Sequence, residues 1–256
     1  MKRLMRGGAR LLYRARGYVP TKIDGVPLQG DPYHIGFWRD VAGGRWEAGT
    51  FAFLKEHLRP ASAFLDVGAW IGPVTLCAAT RCARVYAFEP DPLAYRFLLW
   101  NLDLNGVRNV TPFHAALGAR TGIRTLSGRE GAFGTSRSSL LASTGAPEIA
   151  VLGWAWDEWL ETVASPRLDA IKMDIEGGEF ELLPAMTAYL RAERPALHLS
   201  LHAESLPEAE RRPRIAEALE AVRHYRAIRD EEGGAIPFPE ALEVASARNA
   251  TFTFRD

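Results

Sequence analysis

From about Phe51 onward, short apolar runs that stop at turn residues alternate with longer stretches in which apolar positions recur every three to four residues. Strands and helices taking turns produce that alternation, and a doubly wound parallel sheet covered on both faces accommodates it. The apolar runs predict strands at Ala63 to Val67, Val85 to Phe88, Val110 to His114, Leu168 to Met173 and Leu197 to Leu201. Between them the spacing predicts helices over Pro73 to Thr80, Pro92 to Leu104 and Glu179 to Arg191, and a fourth over Glu208 to Tyr225. Pro73 and Pro92 suit a first helical turn, where the missing N–H costs nothing, and Asn105-Gly106 suits a helix stop. Beyond Tyr225 the habit changes. Tyr225 to Arg229 and Ala250 to Phe254 read as two further strands, the second alternating Thr and Phe as a half-exposed strand does. A closing antiparallel hairpin, with no strong helix between its strands, is the expectation. The Gly/Ser/Thr-rich stretch from Ser127 to Pro147 reads as a long loop, and long loops in compact domains are usually functional or disordered.

Charge changes this picture little. The 31 basic and 31 acidic residues of the 256-residue chain cancel, so no global field draws in a polyanion, and no nucleic-acid partner is expected. Seven of the basic residues (Lys2, Arg3, Arg6, Arg10, Arg14, Arg16, Lys22) precede the first acid, Asp24, leaving 24 basic against 31 acidic in the body. This basic arm reads as a solvated terminal helix, with contact to a membrane surface as the alternative. No apolar run is long enough to span a bilayer or to serve as a signal peptide, so a cytoplasmic location is expected. Cys77 and Cys82, five apart in a helical stretch, do not share a face, which agrees with a reducing compartment.

The chemistry concentrates at strand ends. Phe64 to Pro73 is an apolar strand, an acid (Asp66), two glycines four apart (Gly68 and Gly72, with Ala69 between), and then a helix start. Glycine admits a ligand close to the backbone, and the helix N-terminus offers free amides to a carboxylate. The spacing departs from the G-x-G-x-x-G dinucleotide fingerprint and suits a smaller, amino-acid-bearing nucleoside whose ammonium Asp66 would anchor. The next strand ends in Phe88-Glu89-Pro90-Asp91, which puts a carboxylate, Glu89, where a ribose diol donates two hydrogen bonds.

These motifs, together with Trp46-Glu47, Asn101 to Asn105, Ala115-Ala116-Leu117-Gly118, Ser138-Ser139-Leu140 and Ile171-Lys172-Met173-Asp174-Ile175-Glu176-Gly177-Gly178-Glu179, resemble the FkbM family of class I S-adenosylmethionine-dependent methyltransferases. The resemblance runs from about Trp46 to the C-terminus. Two positions depart from the family's habit, with Trp70 where Asn is usual and Gly178 where Ala is. The resemblance implies a Rossmann-like α/β fold with a seven-stranded, mostly parallel sheet and a C-terminal antiparallel hairpin. The aromatic-, Gly- and Pro-rich segment Tyr18 to Gly49 precedes the sheet and is placed to lid the cofactor crevice, which divides the chain into an N-terminal arm and lid-like extension (1–49) and a methyltransferase domain (50–256). The resemblance implies S-adenosylmethionine as cofactor, with Glu47 near its methionine end, Gly68 and Gly72 beneath it, Glu89 on the ribose, Pro90 among the cofactor-binding residues and Ala115-Ala116 beside adenine. Family members commonly methylate hydroxyls on sugars, glycoconjugates or natural products, so a small-molecule or glycan acceptor is expected.

Within that frame Asp174 and Glu176 end the fourth strand, next to the methyl group, and His202 ends the fifth, one place further along. His202, as a neutral imidazole, is the favoured base, with Asp174 orienting acceptor or ammonium and Glu176 assisting. The same three residues are the alternative ligand set for Mg²⁺. His198 matches the face of His202 by its even spacing but lies deeper along the strand, so a core role is expected for it. Lys172 shares a face with Asp174 and reads equally as a structural ion pair or a substrate contact. Trp38, Trp46, Trp154, Trp156 and Trp159 read as core residues before they read as walls of an acceptor site.

Overall fold

The computed structural model describes residues 11–128, 133–136, 138–140 and 147–256. Lys2, Arg3, Arg6 and Arg10 of the basic arm, and parts of the Ser127 to Pro147 stretch, lie outside the described residues.

The expected sheet is present. Strands β3 (Ala63–Val67), β4 (Arg84–Phe88), β5 (Val110–Phe113), β9 (Ala170–Met173), β10 (Ala196–Leu201), β11 (Ala227–Arg229) and β12 (Ala250–Arg255) form one seven-stranded sheet in the order β11-β12-β10-β9-β3-β4-β5. All pairings are parallel except those of β12, which runs antiparallel to both β10 and β11. Period-two alternation sends neighbouring side chains to opposite faces. Phe64, Val85 and Ala87 pack on one face against the helices α2 (Ala48–His57), α3 (Pro73–Ala79) and α4 (Pro92–Leu104). Leu65, Val67, Tyr86 and Phe88 pack on the other, against a core that contains α5 (Trp156–Thr162), α6 (Glu179–Ala185) and α8 (Glu208–Glu220). Trp38, Trp156 and Trp159 are fully buried, as the core reading expects. Cys77 and Cys82 are buried free thiols, and burial pushes Cys77 up to about 12.

Three features differ from the sequence reading. The expected helix Glu179 to Arg191 is split into α6 and α7 (Thr187–Glu193) at Met186, two residues after Pro184, whose ring removes a helical N–H. The C-terminal pair is antiparallel, but its strands are joined by a helix, α9 (Phe238–Ala247), rather than by a bare turn. A second, three-stranded sheet of β6 (Ala116–Gly118), β8 (Glu148–Ala155) and β7 (Gly122–Ser127) flanks the long loop, whose described part is tied back by an antiparallel bridge between Ser127 and Ser139.

The N-terminal extension is built onto the domain rather than loosely attached. A hairpin of β1 (Val19–Ile23) and β2 (Val26–Gly30) leads through Asp31 to α1 (Ile35–Ala42). Asp31 is fully buried and accepts hydrogen bonds from the backbone N–H groups of Tyr33 and His34 and from the Trp38 indole, and it faces His34 Nδ1 at 2.9 Å. Its own N–H donates to Asn101 Oδ1 (2.8 Å), and Asn101 Nδ2 donates to the Ile71 carbonyl, inside the glycine loop. One turn along α4, Asn105 pairs with both the N–H and the carbonyl of Gln29. The two asparagines thus bind the hairpin, the glycine loop and α4 into one unit. Replacing Asn101 with Ala orphans buried groups on both sides and should lower unfolding free energy by about 2 kcal/mol or more in urea titrations. A change within a few tenths would show the unit to be weaker than its hydrogen bonds suggest.

Candidate active site

The carboxyl ends of β3, β4, β9 and β10 open onto three adjoining pockets, and Asp174 lines all of them. The first lies between the glycine loop and the second sheet, walled by Gly68, Trp70, Phe88, Glu89, Pro90, and Ala115 to Leu117. The second, beside Glu47, Gly68, Ala69 and Lys172, continues it toward the N-terminal extension. The third is a polar cleft of about 630 Å³ over the ends of β10 and β12.

The glycine loop needs its glycines. Gly68 sits at φ +87°, and a Cβ there would stand 2.0 Å from the Asp174 carbonyl oxygen, since the end of β9 lies directly against the turn. Gly72 sits at φ +93° where a Cβ would press on Leu98 at 2.6 Å. Trp70 is also left-handed (φ +50°), the conformation asparagine tolerates best among non-glycine residues, which gives a physical reason for the usual Asn. Its indole donates to the Gly134 carbonyl and packs edge-on against Phe37. Gly178 departs harmlessly, because an Ala methyl there would first meet the flexible Cδ1 end of Ile175.

Glu89 is buried, and its two oxygens accept the backbone N–H groups of Trp70 and Asp91, both at 2.8 Å. Burial pushes the carboxyl up to about 7, against those two amides. The amides fix its orientation and leave a lone pair on each oxygen for further donors. Next to it Asp91 Oδ1 caps α4 through Leu93 and Ala94, and Oδ2 accepts from Gly134 N–H and the Ser138 hydroxyl. That clasp accounts for the first serine of the Ser138-Ser139-Leu140 motif.

Asp66 is fully buried beneath the loop and takes a 2.6 Å hydrogen bond from Thr75. Burial raises its pKa, with Lys172 opposing. The Lys172 ammonium donates to the Gly68 carbonyl (2.8 Å) and stands 3.7 Å from both Asp66 and Asp174. Burial disfavours its charge, but Asp174, Asp66, Glu47 and Glu89 outweigh burial and raise its pKa. The structural side of the lysine's two readings is therefore the one its geometry fills. Glu47 stands just before α2 in a left-handed conformation, accepts from the Thr50 hydroxyl rather than from a helix N–H, and is pushed up to about 7 by burial.

Asp174, Glu176 and His202 do come together. His202 Nε2 lies 3.4 Å from Asp174 and 3.7 Å from Glu176. Behind it, the fully buried Glu179 accepts from the His202 backbone N–H (2.6 Å), faces its Nδ1 at 3.0 Å, and takes the Gly177 N–H. Burial works against the imidazolium, but Glu179, Asp174 and Glu176 overcome it and raise His202 to about 9. This corrects the premise of a neutral imidazole, because three carboxylates hold the ring charged at neutral pH. The Mg²⁺ reading gains no support. Among the described residues no group of three His, Cys, Asp or Glu side chains is arranged to hold a metal ion, and the His202 ring is enclosed as an ion-pair donor. His198 has the expected core role, with Nε2 against Thr50 and Nδ1 against Thr253, and burial lowers it to about 4.

An adenosyl group fits this site: a carboxylate fixed for a diol, the Gly68 turn along the pocket's edge, and apolar walls at Phe88 and Ala115 to Leu117. The strand order and the cleft at the strand ends define a Rossmann-like α/β domain. The chain belongs to the FkbM methyltransferase family, whose Methyltransferase FkbM domain model matches residues 66–229. A relative in Haloferax volcanii, described as hexuronic acid methyltransferase AglP, is 28% identical over 154 residues, which is 60% of this chain and 61% of that protein. The chain thus spans about three fifths of that relative's length. Among solved structures, an FkbM methyltransferase from Methylobacillus flagellatus is similar with a TM-score of 0.48 at 16% identity, covering 88% of this chain and 55% of that one. The TYW2 protein of M. jannaschii, solved with AdoMet, is similar with a TM-score of 0.43 at 15% identity, covering 93% and 85%. Among the described residues no helix is long and apolar enough to cross a membrane.

Proposed function

We propose that the protein transfers a methyl group from S-adenosylmethionine to a hydroxyl of a sugar or sugar-bearing acceptor. The observation that carries this reading is the meeting of the cofactor pockets and the polar cleft at Asp174, with His202 on the acceptor side. Membership of the FkbM family and the sugar acid named for the Haloferax relative support it.

S-adenosylmethionine supplies an electrophilic methyl on a sulfonium, so the protein's task is alignment and proton removal. Glu89 would take the ribose diol, Pro90 and Ala115-Ala116 the base, and Glu47 and Ala69 would border the methionine end, while Gly72 is set back against Leu98 and lets the turn close. Asp66, being buried, acts through Lys172 and Thr75 rather than by touching the ammonium. Asp174 bridges donor and acceptor sides. His202, steered by Glu179, receives the hydroxyl proton on Nε2. The N-terminal extension closes the methionine end through Trp46 and Glu47.

The base assignment has a pH signature. His202 titrates near 9 in the free protein, so its proton-accepting form grows as pH rises. With the acceptor in hand, kcat/KM should climb from pH 7 and level off above about 9. A profile flat over that range contradicts the assignment and gives the proton to a carboxylate.

A further inference from the structure

We infer, taking the S-adenosylmethionine reading as its basis, that His198 is a positioning residue for the cofactor: as the Nε2–H tautomer it orients Thr50, and Thr50 in turn holds Glu47 for the ammonium of the cofactor's amino-acid end. The direction of each hydrogen bond in this chain follows from the number of protons available. The Thr50 hydroxyl lies 3.0 Å from Glu47 Oε2 and 3.1 Å from His198 Nε2. A hydroxyl has one proton and an ionised carboxylate only accepts, so that proton goes to Glu47. His198 Nε2 must then carry the hydrogen that Thr50 accepts. A neutral imidazole has a single N–H, which leaves Nδ1 as an acceptor, and Thr253 Oγ1 stands 3.1 Å from it as the donor. Burial, helped by the charge of Lys172, lowers His198 to about 4 and keeps the ring neutral.

The scaffold fixes the ring as well as the proton. His198 and Thr253 face each other directly in the antiparallel β10–β12 pair, and Phe53, one turn past Thr50 on α2, stacks on the imidazole with centroids 5.1 Å apart. Glu47 stands at φ +41°, a conformation its backbone does not favour, and lines both the 630 Å³ cleft and the pocket of Gly68, Ala69 and Lys172. Gly68, Trp70 and Asp174 are shared between that pocket and the one that Glu89 lines. A nucleoside placed by its diol on Glu89 therefore carries its amino-acid chain past Gly68 toward Glu47. A carboxylate already held there binds an ammonium more tightly than one free to swing, because less side-chain freedom is lost on binding.

The test compares S-adenosylhomocysteine with methylthioadenosine, which keeps the nucleoside and the thioether but lacks the amino-acid group. Calorimetry uses the full chain at about pH 8, above the value of about 7 to which burial pushes Glu47, so that the carboxylate is mostly ionised. Thr50→Val and His198→Leu should each weaken S-adenosylhomocysteine at least about fivefold, with methylthioadenosine held within about twofold of wild type. His198→Gln, whose amide nitrogen takes the place of Nε2 as donor, should restore most of the lost affinity. In the ligand-free wild type, NMR of the ring nitrogens should show His198 protonated on Nε2 and bare on Nδ1. A proton on Nδ1, equal losses for the two ligands, or full S-adenosylhomocysteine affinity in Thr50→Val overturns the inference. Failure of the wild type to bind either ligand overturns the cofactor reading instead, and this role for His198 falls with it.

Discussion

Gly68→Ala should weaken S-adenosylhomocysteine binding by at least about 100-fold, the largest cofactor effect expected of any single methyl group in this protein. Two causes combine. The left-handed backbone at φ +87° costs a residue with a Cβ about 1–2 kcal/mol. The added methyl must also push the Asp174 carbonyl from 2.0 Å to ordinary contact, which parts the ends of β3 and β9 where all three pockets meet. Gly106→Ala is the control. It lies at φ +59° at the end of α4 with nothing near its missing Cβ, so it carries the backbone cost alone and should bind cofactor normally. Calorimetric titration of both variants separates the effects. Equal affinities would mean that the loop's close approach to β9 plays no part in binding.

His202→Ala should reduce kcat by roughly 10²-fold or more while leaving S-adenosylhomocysteine affinity within about threefold of wild type, since the ring lies on the acceptor side of Asp174. Glu179→Gln tests the support behind it. The amide keeps the shape but loses the charge that helps hold His202 at about 9, so the rate profile should shift toward lower pH. Its folded state also changes with pH in a defined direction. A histidine raised to about 9 from an unfolded value near 6.5 stabilises the fold fully below the lower value, and loses that contribution as pH rises through 9. In Glu179→Gln that alkaline loss should move down with the histidine. If His202→Ala leaves kcat unchanged, alignment alone carries the reaction and the histidine is structural.

Strands β3 and β4 were legible nearly to the residue because both are short, buried on two faces and closed by turn residues, so the apolar run and the strand coincide. β7 was not, since its Gly122, Ile123 and Thr125 are exposed and the pattern reads as loop. The β1–β2 hairpin carried a usable signal in Asp24-Gly25, both at positive φ, as a tight hairpin turn requires. Helix α9 carried one too, in the prolines at its start and the buried pair Ala241 and Ala245 one turn apart. Asp174, Glu176 and His202 could be placed together from strand order alone. Glu179 could not, because within its own segment it reads as an acid in a first helical turn, and the partner that gives it its role lies 23 residues away, past the end of another strand. The charge of His202 was hidden for the same reason.

The structure of the protein with S-adenosylhomocysteine tests the account most directly. Adenine should lie between Pro90 and Ala115 to Leu117, the ribose diol should bond to both oxygens of Glu89, and the sulfur should face Asp174 with the open side toward His202 and the 630 Å³ cleft. Nucleoside bound away from Glu89, or sulfur turned away from the Asp174–His202 side, would contradict it.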